Sequence, residues 1–170
     1  VSSIDLAAAE IALSSQIGRE RALAKALMQL SDRYDYILID TPPSLGLLTI
    51  NALTAADGII VPVQCEYLSL RGLAQLERTL ELVRENLNPK VHIAGILPTM
   101  YDSRTVHGRE AVEVLRNSFG DLVFETVIRK TIKFAEAPVK GESVLKYAPG
   151  SEAAKVYRRL AREVLNGKKI

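Results

Sequence analysis

Apolar residues recur along this chain with two different rhythms. From residue 69 they fall at Leu73, Leu76, Leu80, Val83 and Leu87, alternating by three and four, which marks one face of a long helix stopped by Asn88-Pro89. The same spacing predicts a helix over 108–119 through Val112, Leu115 and Phe119, and another over 151–165 with Val156, Tyr157, Leu160 and Val164 inward. Residues 4–30 carry helix formers, with Asp5 as N-cap and Leu6, Ile11, Leu23, Leu27 and Leu30 apolar; Gly18 divides this stretch into two helices. Residues 45–56 read as a further helix closed by Asp57-Gly58.

The second rhythm is short and continuous. Residues 36–39 form an apolar run that ends at Asp40 and passes into Thr41-Pro42-Pro43, the pattern of a buried strand entering a turn. Residues 59–63, 91–97 and 122–128 repeat it. Unbroken apolar strands separated by helices of this length predict an α/β fold, a mostly parallel sheet with helices on both faces, in one domain over 1–170. Ligands of such sheets sit at the carboxyl ends of the strands.

Composition narrows the function classes. About half of the 170 residues are apolar and a quarter charged, as in an ordinary globular protein. The apolar runs fall far short of the roughly 20 residues that cross a bilayer, so no membrane partner is expected. The start, Val1-Ser2-Ser3-Ile4-Asp5, has neither an initiator Met nor an export signal, and reads as a cut end of a cytoplasmic protein. Cys65 is the only cysteine, which excludes an internal disulfide or a thiolate cluster. His92 and His107 have no ligand partner at metal spacing, and Ser44, Ser69 and Ser103 lack the Gly-x-Ser-x-Gly elbow of a hydrolase. Charge is uneven: from Arg129 onward eleven Lys/Arg face four Asp/Glu, a local net of +7 that leaves −5 for residues 1–128. That asymmetry points to an anionic partner for the last quarter.

Asp40 is the first candidate for chemistry. A carboxylate at the end of a buried strand is where nucleotide-binding α/β folds hold Mg²⁺; it is equally the residue type that forms a turn. Thr41, Pro42 and Pro43 stiffen the backbone beside it and Gly46 allows it to bend. Lys133, Lys140, Lys146, Lys155, Arg158, Arg159 and Arg162 read either as a patch that neutralises nucleic-acid phosphates or as solvated helix faces.

Four segments carry a more specific likeness: Tyr34-Asp-Tyr-Ile-Leu-Ile-Asp-Thr-Pro-Pro-Ser-Leu-Gly-Leu-Leu-Thr-Ile-Asn-Ala-Leu53, Glu66-Tyr-Leu-Ser-Leu-Arg-Gly-Leu73, Leu97-Pro-Thr-Met-Tyr-Asp-Ser-Arg-Thr105, and Glu136-Ala-Pro138 followed by Gly141. Together they resemble the ParA/Soj-type partition ATPases, P-loop proteins of chromosome and plasmid segregation, from about residue 4 to 165. The resemblance implies that Asp40 is the catalytic Walker B carboxylate in the Mg²⁺ shell. It implies that Thr41, Pro42, Pro43 and Gly46 belong to switch II, and that ATP drives a sandwich homodimer. It places residues 126–138 near the adenine base, with Thr99, Arg129 and Lys130 as cofactor-binding candidates; Thr99 reads equally as a strand-ending turn residue. It further implies nonspecific DNA binding, here through Lys133, Lys146, Arg158 and Arg159, a ParB-type partner, and a nucleoid-associated location.

Two departures qualify the likeness. The family commonly has Ile-Pro-Arg-Asn where this chain reads Ile128-Arg129-Lys130-Thr131. A phosphate loop needs Gly, Lys and Ser/Thr at fixed spacing; the sole Gly-Lys pair is Gly167-Lys168, with Arg162 where the first Gly belongs. The second acidic motif of the family is missing as well. The chain is therefore expected to be incomplete at its amino terminus, inactive alone in ATP hydrolysis, and prone to swapped or sheet-extended dimers through unpaired strand edges. A non-catalytic DNA- or ParB-binding module is the alternative reading, and a MinD-like positioning ATPase a third.

Overall fold

The computed structural model describes residues 5–65 and 70–166, with side chains described from 10 to 65 and from 72 to 166. The expectations for Glu66 to Ser69, Gly167-Lys168 and the first four residues lie outside this range. The chain clusters into two compact units, Val1–Ile59 with Leu70–His92 and Ile60–Ser69 with Ile93–Ile170.

The first unit is helical: α1 Asp5–Ser14, α2 Ala22–Leu27, α3 Leu47–Ala55 and the long α4 Leu70–Asn86. Gly18 divides α1 from α2 as its sequence predicts, in the left-handed conformation at φ 70° that glycine adopts without cost. Buried Asn51 on α3 fixes the backbone just beyond Gly18. Its amide nitrogen donates to Arg19 O at 2.8 Å and Leu47 O at 3.0 Å, and its oxygen accepts from Leu23 N at 3.1 Å. At the other end of α3, Asn88 Nδ2 donates to Leu53 O at 3.1 Å and Ala56 O at 2.8 Å, satisfying carbonyls that the helix terminus leaves open. Leu80 and Val83, on the predicted stripe of α4, are fully buried.

Residues 36–39 are not the buried strand expected of them. They belong to no ladder and are largely exposed, with Leu38 at 92% and Tyr36 at 56%. An extended segment becomes a strand only when a neighbour takes its backbone groups, and no strand lies beside this one among the described residues.

The second unit carries the sheet. β1 Gly58–Gln64, whose first two residues belong to the other unit, and β2 His92–Thr99 are neighbours, and Cys65 N donates to Thr99 O at 2.9 Å just past β1. The expected strand over 122–128 runs parallel to β2 but pairs with it irregularly, through the isolated bridge Ile96–Val123 and the bond from Ile128 N to Pro98 O at 2.9 Å, followed just beyond by the bridge Tyr101–Arg129. Around it lie α5 Val106–Phe119, α6 Lys133–Val139, α7 Val144–Tyr147 and α8 Glu152–Leu165. Leu97, Phe124 and Ile128 form a core against Ile60, Phe134 and the α8 side chains Val156, Leu160 and Val164. The architecture is α/β with parallel pairing, as predicted.

Candidate functional site

In the first unit the chain from Asp40 to Gly46 is a loop between the unpaired extended stretch and α3. Asp40, Thr41, Pro42 and Pro43 are exposed. Buried Thr49 holds the loop from below, its hydroxyl donating to Ser44 O at 2.6 Å. Gly46 is the N-cap residue of α3 in an extended conformation, and Glu10 of α1 supplies the missing cap: its Oε1 accepts from Leu47 N at 3.0 Å. A carboxylate at the first turn of a helix satisfies an open N–H and interacts favourably with the helix dipole. A Cβ at Gly46 would lie 2.7 Å from that oxygen, so glycine is what lets Glu10 approach. The sequence reading missed Glu10, whose only signal was an acid in the middle of an Ala-rich helix.

In the second unit Thr99, Arg129 and Lys130 come to one end of the sheet. Thr99 is the last residue of β2 and half-buried; Arg129 faces Tyr101 across the bridge; Lys130 N donates to Tyr101 O at 3.1 Å. Met100 between them has φ 53°, a left-handed conformation that is uncommon outside glycine and that recurs in ligand-clamping loops. Asp102 closes the loop with a forked pair to Arg104, Nη2 to Oδ2 at 2.7 Å and Nε to Oδ1 at 3.0 Å. The hydrogen bonds from the Arg104 side chain and backbone, with the nearby Lys130 charge, hold the Asp102 carboxyl at about 2. Thr105 then caps α5 by accepting from Gly108 N at 3.1 Å. Beneath the loop Cys65 packs with Ala111, Val112 and Tyr101, and burial pushes its thiol above the ordinary value, so it behaves as an apolar filler.

The basic candidates divide between elements. Lys133 on α6 is paired with Glu136 at 2.8 Å and lies 5.5 Å from the Tyr147 ring; Lys146 on α7 is paired with Glu142 at 2.8 Å. On α8, Lys155, Arg158, Arg159 and Arg162 follow one another at helical spacing and are exposed, opposite the face that carries Val156, Leu160 and Val164 into the core. Lys155 bonds Glu152 at 2.8 Å and Arg158 donates to Pro149 O at 2.9 Å, which fixes both at the amino-terminal end of the helix. An open cleft of about 310 Å³ lies along α6 between Ile132, Ala135, Val139 and Tyr147. Among the described residues no three His, Cys, Asp or Glu side chains gather as a metal cluster, and no helix is long and apolar enough to cross a membrane.

A family model described as an AAA domain matches residues 1–93. An uncharacterized protein of Mycobacterium tuberculosis is 54% identical over 165 residues, covering 97% of this chain and 52% of its own length. The chromosome-partitioning ATPase Soj of Thermus thermophilus is 48% identical over 161 residues, covering 95% of this chain and 63% of its own. The chain thus spans between about half and two thirds of the length of these relatives. Among solved structures, a protein from Mycobacterium smegmatis described as cobyrinic acid a,c-diamide synthase, with bound ADP and magnesium, superposes with a TM-score of 0.79 at 40% identity, over 96% of this chain and 60% of that one.

Proposed function

The chain belongs to the ParA/Soj family of partition ATPases, and from that membership we propose that it works in chromosome or plasmid segregation, by ATP-dependent dimerisation and nonspecific DNA binding. The observation that carries this reading is the basic stripe of α8, Lys155, Arg158, Arg159 and Arg162, exposed on the face opposite the core contacts. A stripe of that kind neutralises backbone phosphates without reading bases. Lys133 and Lys146 extend the same surface in this reading, at reduced effective charge because each is already paired.

The nucleotide would be held at the strand ends. Asp40 offers one hard oxygen at the close of the extended stretch, which suits Mg²⁺, an ion usually bound through one or two carboxylates plus phosphates and water. Held there, the ion would supply positive charge that offsets the phosphates' negative charge. Thr41, Pro42, Pro43 and Gly46 form switch II in this reading, and the bonds from the Thr49 hydroxyl of α3 to Pro42 O and Ser44 O within that loop support it. Thr99, Arg129 and Lys130 face the base. The 170 residues contain no Gly-x-x-x-x-Gly-Lys-Ser/Thr run, so this chain corresponds to part of one ATPase domain and does not hydrolyse ATP by itself. It is cytoplasmic and nucleoid-associated, and it meets a ParB-type partner and a second copy of itself.

The test is DNA binding by the 170-residue chain between about 50 and 200 mM salt. Binding that weakens steeply and linearly on a log–log plot, at equal strength for unrelated duplexes, supports the reading. Salt-independent binding, or none, removes the DNA surface from the proposal.

A further inference from the structure

The segment after Val123 departs from a regular parallel ladder in a way that singles out Glu163. Phe124 N donates to Ile96 O at 2.9 Å, and in a regular register Thr126 N would donate next to Pro98 O. Pro98 has no N–H to return a bond to this segment. Pro98 O is taken instead by Ile128 N at 2.9 Å. The segment therefore advances from Phe124 to Ile128 while β2 advances only from Ile96 to Pro98, a bulge that leaves intervening amides outside the ladder. β2 gives one residue back at Met100, after which Tyr101 N donates to Ile128 O and Lys130 N to Tyr101 O, both at 3.1 Å.

The displaced amides go to a side chain. Glu163 Oε1 accepts from Glu125 N at 2.8 Å and Oε2 from Thr126 N at 3.2 Å. Charge-assisted bonds of this kind are among the strong ones. Glu163 stands on α8 beside Leu160 and Val164, on the border of the apolar face, so one carboxylate fastens the basic helix to the bulge.

We infer that Glu163 is a positioning residue: by holding the 125–126 bulge it sets where Arg129 and Lys130 lie at the end of the sheet, and it ties that position to α8. The inference rests on the reading of Arg129 and Lys130 as ligand-facing. A bulge beside a site commonly re-aims side chains, and here the re-aimed residues follow it directly.

The experiment is site-resolved amide hydrogen exchange on the 170-residue chain, comparing wild type, Glu163→Ala and Glu163→Gln. In Glu163→Ala, exchange accelerates about tenfold or more at Glu125 and Thr126, the loss of a bond to a charged acceptor. It also accelerates at Tyr101 and Lys130, beyond the bulge, while Phe124, bonded to Ile96 ahead of it, keeps its protection. Glu163→Gln, which retains an acceptor oxygen, shows a smaller acceleration at the same four amides and carries the test alone if the alanine variant does not fold. Unchanged Tyr101 and Lys130 would overturn the inference, as would equal loss at Phe124, the mark of a helix that has merely undocked. Mg²⁺-ATP binding by the wild-type chain and by Arg129→Ala tests the ligand-facing reading separately: equal affinity, or none in either, would remove that reading and leave the exchange pattern as it is.

Discussion

Glu10 and Leu47 are joined by a single hydrogen bond of 3.0 Å, from the Leu47 amide to the Glu10 carboxylate, and that bond plants an acid of α1 at the head of α3. Replacing Glu10 with alanine removes the cap and costs about 0.5–2 kcal/mol. Gly46→Ala reaches the same end by another route, because the new methyl would displace the carboxylate. Thermal unfolding followed by circular dichroism should show lower midpoints for both, and a double variant little worse than either single one. Additive losses would mean that Gly46 acts through something other than Glu10.

Gly95 in β2 faces Phe124, which is fully buried, and a Cβ at Gly95 would stand 2.7 Å from the Phe124 Cζ. Gly95→Ala should destabilise by about 1–3 kcal/mol through overpacking, measured as a lower urea midpoint at unchanged slope. Shrinking the partner in Gly95→Ala/Phe124→Leu should recover part of the loss.

Asp102 titrates near 2, below its ordinary 3.8, because Arg104 bonds the charged form. A carboxyl depressed by folding adds stability above the unfolded value, and that contribution is lost as pH falls from about 4 through about 2. Carbon-detected titration of the Asp102 carboxyl should give a midpoint near 2 that moves upward in Arg104→Ala. An unmoved midpoint would remove Arg104 as the cause.

Arg159→Ala and Arg162→Ala should weaken DNA binding uniformly across sequences. Each lowers the log–log salt slope by about 0.9 if it neutralises one phosphate. Anisotropy titrations at several salt concentrations give the slope. A loss of affinity with an unchanged slope would assign these residues to packing instead.

Thr126 is fully buried, and its hydroxyl has no hydrogen-bond partner among the described residues. Thr126→Val, nearly the same shape without the oxygen, should be neutral or stabilising by up to about 1 kcal/mol, since an unpaired buried hydroxyl is costly. Chemical denaturation decides it; a clear loss would reveal a partner for the hydroxyl.

Helices were legible in the sequence because their signal is local. Helix α4 was expected over 69–87 and spans Leu70–Asn86; α8 was expected from 151 and begins at Glu152, with the Ser151 side chain accepting from Ala154 N. Strands were legible only where a partner exists. The runs at 59–63 and 91–97 became β1 and β2, whereas 36–39, just as apolar, has no neighbour to pair with among the described residues. The run at 122–128 was spoiled by a residue on the other strand, Pro98, which no reading of the run itself would consult. The same limit governed the site. Thr99, Arg129 and Lys130 were expected near one another from the family likeness and do share one end of the sheet, but Glu10, Asn51 and Glu163 act through contacts 28 or more residues away in sequence. Glu163 had one faint signal, an acid at helical spacing from Val156 and Leu160. Short α6 and α7 were not foreseen, being too brief to establish a period.

The bare stretch around Leu38 also sets how copies of this chain meet one another in solution. Extended, apolar, accessible backbone is a template on which a further strand can pair. With Tyr36 and Leu38 displayed in that form, the solubility of the isolated chain depends on its concentration.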